Sequence, residues 1–281
     1  MMGLLTRPLG TSGLQITQVG FGAWAIGGGG WAYGWGSQDD AASVAAIKHA
    51  VASGINWVDT AAIYGLSHSE EVVGQALREI PAAERPYVFT KGGMIPDPSR
   101  PFEEPQRNLR PESIRKEVEA SLRRLGVERI DLYQFHWPDA IGTPVEDSWG
   151  EMARLIQEGK VRAGGVSNFN VGLLERAEQV RHVDSLQPPF SLIHRQSAAD
   201  VIPWSAAHGT GVIAYSRCNP GSSPTPSAAS GWSGWRPMTG VAATPNSRSR
   251  CSAATWRFAM PFGRPRHDTA FRSRRSRSPG R

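Results

Sequence analysis

The 281-residue sequence predicts an α/β chain folded as a (β/α)8 (TIM) barrel, of which seven strands are recognisable and the eighth, with the last helices, is not. Three observations carry this expectation. Short apolar strands alternate with amphipathic helical segments, a pattern that implies right-handed crossovers and a parallel sheet. No G-x-G-x-x-G fingerprint of a doubly wound dinucleotide fold is present: "IGGGGW" at 26–31 lacks that spacing, stands too far before its helix to cradle a phosphate, and reads as a flexible loop. With 40% hydrophobic and 20% charged residues, the chain can bury one large core.

Taken in order, "RPLG" and "LQIT", joined by "TSG", read as a hairpin, and "QVGFGAW" as the first barrel strand. "SQDDAASVAAIKHAVASG" is the first helix, with acidic residues at its start, Val44, Ile47 and Val51 at helical spacing, and Gly54 at its stop. "INWVDTA" and "SEEVVGQALREI" make the second pair. In the third, "YVFTK" precedes "PESIRKEVEASLRRLG", where Pro111 sits in the first turn and Ile114, Val118, Leu122 and Leu125 line one face. "RIDLYQFHW" pairs with "TPVEDSWGEMARLIQEGK", "VRAGGVSNF" with "NVGLLERAEQV", and "VDSLQP" with "ADVIPWSAAHG". "GVIAYS", Gly211 to Ser216, is the seventh strand.

Charge divides the chain. Residues 1–216 carry 19 Lys and Arg against 24 Asp and Glu, whereas 217–281 carry twelve Arg, no Lys and only Asp268. The basic balance therefore belongs to the tail, and it does not mark the patterned part as a polyanion binder. No run approaches the roughly 18 apolar residues of a membrane span, and the N-terminal apolar run is too short for a signal peptide, so a cytoplasmic location is expected. Both cysteines, Cys218 and Cys251, lie past residue 216, which leaves the patterned part without a disulfide framework or a cysteine metal site.

In a barrel the C-terminal ends of the strands share one mouth, where the chemistry sits. Those ends hold Asp59 and Tyr64, Lys91, His136, Ser167 and Asn168, Gln187, and Tyr215. Singly, each has an ordinary alternative. His136 can be a core histidine, Lys91 a rim lysine, Ser167 or Asn168 a helix cap, and the Asp59–Tyr64 spacing chance. Together they suit proton-coupled hydride transfer at a carbonyl. A phenol stays protonated at neutral pH yet yields its proton as alkoxide charge develops, which Tyr64 can do. Lys91 is expected to lower the phenol's pKa, with Asp59 holding the ammonium in place. His136 can orient the carbonyl oxygen by a hydrogen bond.

The motifs "VDTAAIYG", "FTKGG", "DLYQFHWPD", "GKVRAGGVSNF", "DSLQPPFSLIHR" and "GVIAYS", in this order and spacing, resemble those of the aldo/keto reductase family over residues 1 to about 216. The resemblance implies a catalytic tetrad of Asp59, Tyr64, Lys91 and His136. It implies NADPH, extended across the barrel mouth without a metal, its nicotinamide amide held by Ser167, Asn168 and Gln187 and its ring stacked on Tyr215. A small carbonyl compound is the implied substrate. Trp24 and Trp137, each at a strand end, read either as walls of an apolar substrate pocket or as core packing.

Residues 217–281 do not continue the pattern. Family members commonly follow the seventh strand with Ser-Pro-Met-Gln-Ser-Gly-Leu-Leu-Thr. Deleting one C from the proline codon of one encoding of that run gives Ser-Arg-Cys-Asn-Pro-Gly-Ser-Ser-Pro, which is Ser216 to Pro224 here. A one-base frameshift near codon 217 is the leading explanation; its rival is a functional basic segment that neutralises nucleic-acid phosphates or acts as a targeting address, against which stands a solvated, disordered tail. The resemblance places the pyrophosphate loop and the 2′-phosphate grip in the replaced stretch. Three functions stay open: an NADPH-dependent carbonyl reductase, a non-catalytic cofactor-sensing or partner-binding relative, and an inactive frameshifted product. The identity of the carbonyl compound and the oligomeric state stay unassigned.

Overall fold

The computed structural model describes residues 4–215. The Arg/Ser/Pro-rich segment 217–281 and the frameshift placed at its start lie outside the described residues. The chain enters through an antiparallel hairpin, β1 (Thr6–Pro8) and β2 (Gln15–Thr17), with Thr6 opposite Thr17. The barrel strands begin with β3 (Phe21–Gly22), β4 (Trp57–Asp59) and β5 (Tyr87–Gly92). A short antiparallel ribbon, β6 (Met94–Ile95) with β7 (Gln106–Arg107), follows β5. The sheet then continues through β8 (Ile130–Phe135), β9 (Val161–Ser167), β10 (Ser185–Gln187) and β11 (Gly211–Val212).

The seven strands other than the two ribbons lie side by side in chain order, and every neighbouring pair is parallel. The fold is an incomplete (β/α)8 barrel, seven of whose strands fall among the described residues. The crossovers are α1 (Asp40–Ala52), α2 (His68–Glu79), α3 (Pro111–Leu125), α4 (Val145–Gln157), α5 (Val171–Val180) and α6 (Val201–His208). Short polar side chains start three of them: Asp39, Asn170 and Asp200 accept from the backbone N–H of Ala42, Leu173 and Val201. Among the described residues no helix is long and apolar enough to cross a membrane.

Strand alternation sorts the side chains into two cores. One set, including Val58, Val88, Tyr133, Phe135, Val166 and Leu186, packs outward against helix residues such as Val73, Val118, Trp149 and Leu174. The other set points inward. Trp57, Phe89, Leu132, Ala163 and Ile213 meet Leu9, Leu14 and Ile16 of the entry hairpin, which plugs the end where the strands begin. Continuing by twos along the same strands from that plug gives Asp59, Lys91, Gln134 and His136, Ser167, and Tyr215, so the inward face turns from apolar to polar toward the strand ends.

The Gly-rich stretch differs from the flexible loop expected. Ala25–Gly27 form a 3-10 turn, and Trp31 is buried with its indole N–H donating to the Gly28 carbonyl at 3.2 Å. A Cβ on Gly27 would lie 2.6 Å from the Gly65 nitrogen, and one on Gly65 would lie 2.0 Å from the Gly27 oxygen. The glycines allow two backbones to touch, and the stretch braces the loop that carries Tyr64.

Candidate active site

The chemistry begins with one buried ammonium. Lys91 extends from β5 with no solvent exposure of its side chain, and its Nζ donates to Asp59 Oδ2 at 2.6 Å and to the Thr60 carbonyl at 2.9 Å. The Tyr64 hydroxyl lies 3.4 Å from the same nitrogen. Burial works against the Lys91 charge, but Asp59 and Tyr64 outweigh it and hold its pKa above the ordinary lysine value. Two amides steady Asp59 from the other side: Gln187 and Gln134 donate to its Oδ1 at 3.2 and 3.4 Å.

Tyr64 departs from the sequence expectation. Lys91 does pull its pKa down, but burial is the larger effect and the phenol ends above its ordinary value. The sign of the nearby charge was legible in the sequence; the desolvation cost of the phenolate was not. The loop behind Tyr64 is strained, with Leu66 at φ 56° and Ser67 at φ 89°, a left-handed conformation that non-glycine residues rarely adopt.

His136 stands edge-on to Tyr64, ring centroids 5.6 Å apart. Burial, then the Lys91 charge, drives its pKa well below the ordinary histidine value, so the imidazole is neutral at neutral pH. Its Nδ1 is buried with no hydrogen-bond partner among the described residues. An unpartnered acceptor costs less there than an unpartnered donor, which favours the tautomer carrying its proton on Nε2. The four residues Asp59, Tyr64, Lys91 and His136 therefore come together as one cluster.

The remaining strand-end residues form a second group joined to the first. Ser167 Oγ donates to the Gln187 carbonyl at 2.8 Å, and Asn168 Nδ2 donates to the His136 carbonyl and to Ser167 Oγ, each at 3.0 Å. The Tyr215 hydroxyl donates to Asn168 Oδ1 at 2.7 Å, and burial first among its causes pushes that phenol up to about 12. Asn168 is also strained, at φ 62°. This group offers amide and hydroxyl donors and acceptors beside a tyrosine ring, a donor set that suits the carboxamide and flat ring of a nicotinamide.

Aromatic side chains wall the mouth. Trp24 stacks on Tyr64 with centroids 6.1 Å apart, Trp31 lies 6.3 Å from it, and Trp24 donates its indole N–H to the Tyr33 carbonyl. Trp137 packs on the same cluster and carries the Arg107 guanidinium 4.6 Å above its ring. Both predicted tryptophans are partly buried and pack against the same apolar cluster as Tyr64. Sequence reading missed Gln134, Thr60, Trp31 and Tyr33. Gln134 had a usable signal, since it precedes His136 by two residues and must share its inward face.

Comparison with known proteins follows the same lines. The model of the aldo/keto reductase family matches residues 18–224. An aldo-keto reductase of Bacillus subtilis (strain 168) is 34% identical over 204 residues, covering 73% of this chain and 59% of the relative. The NADH-specific methylglyoxal reductase of Escherichia coli (strain K12) is 35% identical over 217 residues, covering 74% of this chain and 66% of the relative. Among solved structures, the glycerol dehydrogenase from Gluconobacter oxydans superposes with a TM-score of 0.67 at 42% identity, covering 76% of this chain and 63% of that one. An aldo-keto reductase from Klebsiella pneumoniae in complex with NADPH superposes with a TM-score of 0.61 at 26% identity, covering 77% and 68%. The chain thus spans about three fifths to two thirds of the length of the curated relatives it matches.

Proposed function

We propose that this chain, which belongs to the aldo/keto reductase family, reduces the carbonyl group of small aldehydes or ketones to alcohols with NADPH as reductant and Tyr64 as proton donor. The observation that carries this is the Tyr64 hydroxyl at 3.4 Å from a buried ammonium that is itself bound to Asp59 at 2.6 Å. NADPH would be held at its nicotinamide by Ser167, Asn168, Gln187 and Tyr215, and when bound it supplies the hydride. The Klebsiella complex supports NADPH as the cofactor, while the Escherichia coli relative, which is NADH-specific, marks the alternative.

The chain's own residues divide the remaining work. Tyr64, its pKa raised by burial, keeps its proton at neutral pH until a carbonyl oxygen becomes basic enough to take it. The proton moves from Tyr64 Oη to that oxygen, and the phenolate left behind is stabilised by the adjacent Lys91 ammonium. Neutral His136 donates from Nε2 and fixes where the oxygen sits. Asp59 keeps Lys91 charged and aimed, and Gln134 and Gln187 keep Asp59 from rotating away. Trp24 and Trp137 exclude water and favour an apolar substituent on the carbonyl carbon.

The test is the loss of nicotinamide absorbance with a small aromatic aldehyde, for the wild type and Tyr64→Phe. Turnover should fall by about 10² to 10⁴ in the variant, with cofactor affinity unchanged. Equal turnover would remove Tyr64 from the mechanism. A second reading is a chain that holds the tetrad without reductase activity. It is favoured by the family match ending at residue 224 while the chain runs to 281. Nicotinamide cofactor binding without turnover in the wild type would select it.

A further inference from the structure

We propose that Glu117, on α3 behind the sheet, is a positioning residue for the site: its carboxyl group anchors the Gly92–Gly93 turn to which Lys91 and His136 are tied. This rests on the assignment of Lys91 and His136 to the reaction. Glu117 Oε2 accepts from the Gly93 N–H at 2.9 Å. One residue earlier, the Gly92 carbonyl accepts from the His136 N–H at 2.9 Å, and the Lys91 carbonyl accepts from the Ala62 N–H at 3.0 Å. The anchored turn therefore lies in the same short stretch of backbone that presents the ammonium and holds the histidine.

The turn is built for an anchor from the rear. Gly93 has φ 87°, and a Cβ there would stand 2.3 Å from the Leu109 side chain. At Gly92 a Cβ would stand 1.9 Å from the Tyr133 hydroxyl and 3.1 Å from Glu117 Oε2, so phenol and carboxyl converge on the bare Cα. Glu117 Oε1 and the Tyr133 hydroxyl are both buried without hydrogen-bond partners among the described residues. A carboxyl group kept at such a cost, with one oxygen spent on a single glycine N–H, is explained by what that N–H holds in place.

The surroundings decide when the anchor is strong. Glu70 of α2 faces Glu117 but is itself occupied, accepting from Thr90 of β5 at 2.6 Å and from Arg124 of α3. Ser113 and Arg124 of α3 and Tyr133 of β8 complete the groups facing it. Burial is the largest influence and pushes the Glu117 carboxyl up to about 7, with Glu70 adding to it and the Gly93 N–H, Arg124 and Ser113 opposing. Ionised, Glu117 gives Gly93 a charge-assisted acceptor; protonated, it gives a weaker one. His136 titrates far below this range and Tyr64 and Lys91 above it, so a neutral-range change in the site's geometry reports Glu117 alone among these four.

The experiment is a pH titration of backbone amide shifts in the full chain, with ¹⁵N-labelled glycine and histidine. In the wild type, the Gly93 and His136 amides should move with one shared midpoint near neutrality. In Glu117→Gln, which keeps an amide oxygen for Gly93 but cannot ionise, both movements should vanish while the rest of the spectrum stays in place. A Gly93 titration that His136 does not share overturns the proposal, because the anchor would then be purely local. Persistence of both titrations in Glu117→Gln overturns it as well. Should the variant fail to fold, the wild-type pair of midpoints decides alone. Where turnover is present, kcat should lose its neutral-pH inflection in Glu117→Gln with KM unchanged. The amide shifts are readable without turnover, so failure here and failure of the reductase assignment are distinct outcomes.

Discussion

The Asp59–Lys91 pair makes a prediction whose size follows from its burial. Asp59→Asn keeps an oxygen near Lys91 but removes the counter-charge, leaving an ammonium with no side-chain exposure facing only Thr60 and Tyr64. Removing one partner of a buried ion pair costs about 3 to 5 kcal/mol. A ceiling applies, because the lysine can shed its proton. At pH 7 that escape from an ordinary pKa of 10.5 costs about 5 kcal/mol, at roughly 1.4 kcal/mol per unit. With the carbonyl oxygen retained, we expect a loss of about 3 kcal/mol at pH 7.

The pH dependence has a defined sign. In Asp59→Asn the folded-state pKa of Lys91 drops below its unfolded value, so the penalty is complete below the folded value and disappears as pH rises to the unfolded one. The loss should therefore shrink markedly by about pH 9.5. Replacing both residues, Asp59→Leu with Lys91→Met, should return stability to within about 1 kcal/mol of wild type, since no buried charge remains. Urea denaturation followed by tryptophan fluorescence at the two pH values measures all three variants. A loss under about 1 kcal/mol for Asp59→Asn at pH 7, or an equal loss at both pH values, would refute the view that the site holds a desolvated cation. The double variant should be stable and without turnover, which separates the pair's role in chemistry from its role in folding.

His136→Asn should lower turnover less than Tyr64→Phe does, because an amide donor remains near the carbonyl oxygen; a neutral effect would return His136 to the core. The Glu117 carboxyl, raised from 4.5 to about 7, makes the folded state lose about 3 kcal/mol as pH climbs through that window, since the unfolded chain ionises first. Glu117→Gln should remove that slope and exceed wild-type stability at pH 8 but not at pH 5, as read from urea midpoints. If residues 217–281 arise from a one-base deletion, restoring one C at codon 217 should tighten NADPH binding by about 10² or more in a fluorescence titration. Equal affinity for both chains would show that the basic tail serves the cofactor phosphates.

Much of the site was legible because a barrel strand announces its mouth. "WVDTA", "FTK" and "YQFHW" each run from buried apolar residues into a polar one at the C-terminal end, and period-two alternation then fixes which neighbours share its face. The β6–β7 ribbon was invisible, since its two-residue strands flank a polar, proline-containing loop with no alternation to read. Glu70 and Glu117 were equally hidden. In "SEEVVG" nothing local separates buried Glu70 from its exposed neighbour Glu71, because what decides it is Arg124, 54 residues away. The Gly27–Gly65 contact was missed for the same reason: a glycine run looks flexible until a second backbone is placed against it.

The two ends of the barrel interior explain each other. At the start of the strands, Trp57, Phe89, Leu132, Ala163 and Ile213 pack on the hairpin residues Leu9, Leu14 and Ile16 as one buried apolar cluster. The polar groups above them are therefore desolvated from one side, and desolvation acts differently on each. It removes the charge from histidine, raises the phenol, and would also discharge the lysine were Asp59 not 2.6 Å away. One apolar plug and one carboxylate thus set three protonation states at once: neutral His136, protonated Tyr64 and charged Lys91. In the mechanism we propose, that combination lets Tyr64 hold its proton until a carbonyl oxygen takes it. A polar substitution in the plug, at Leu132 for example, removes apolar burial beneath these groups and should weaken the shifts that burial imposes on them.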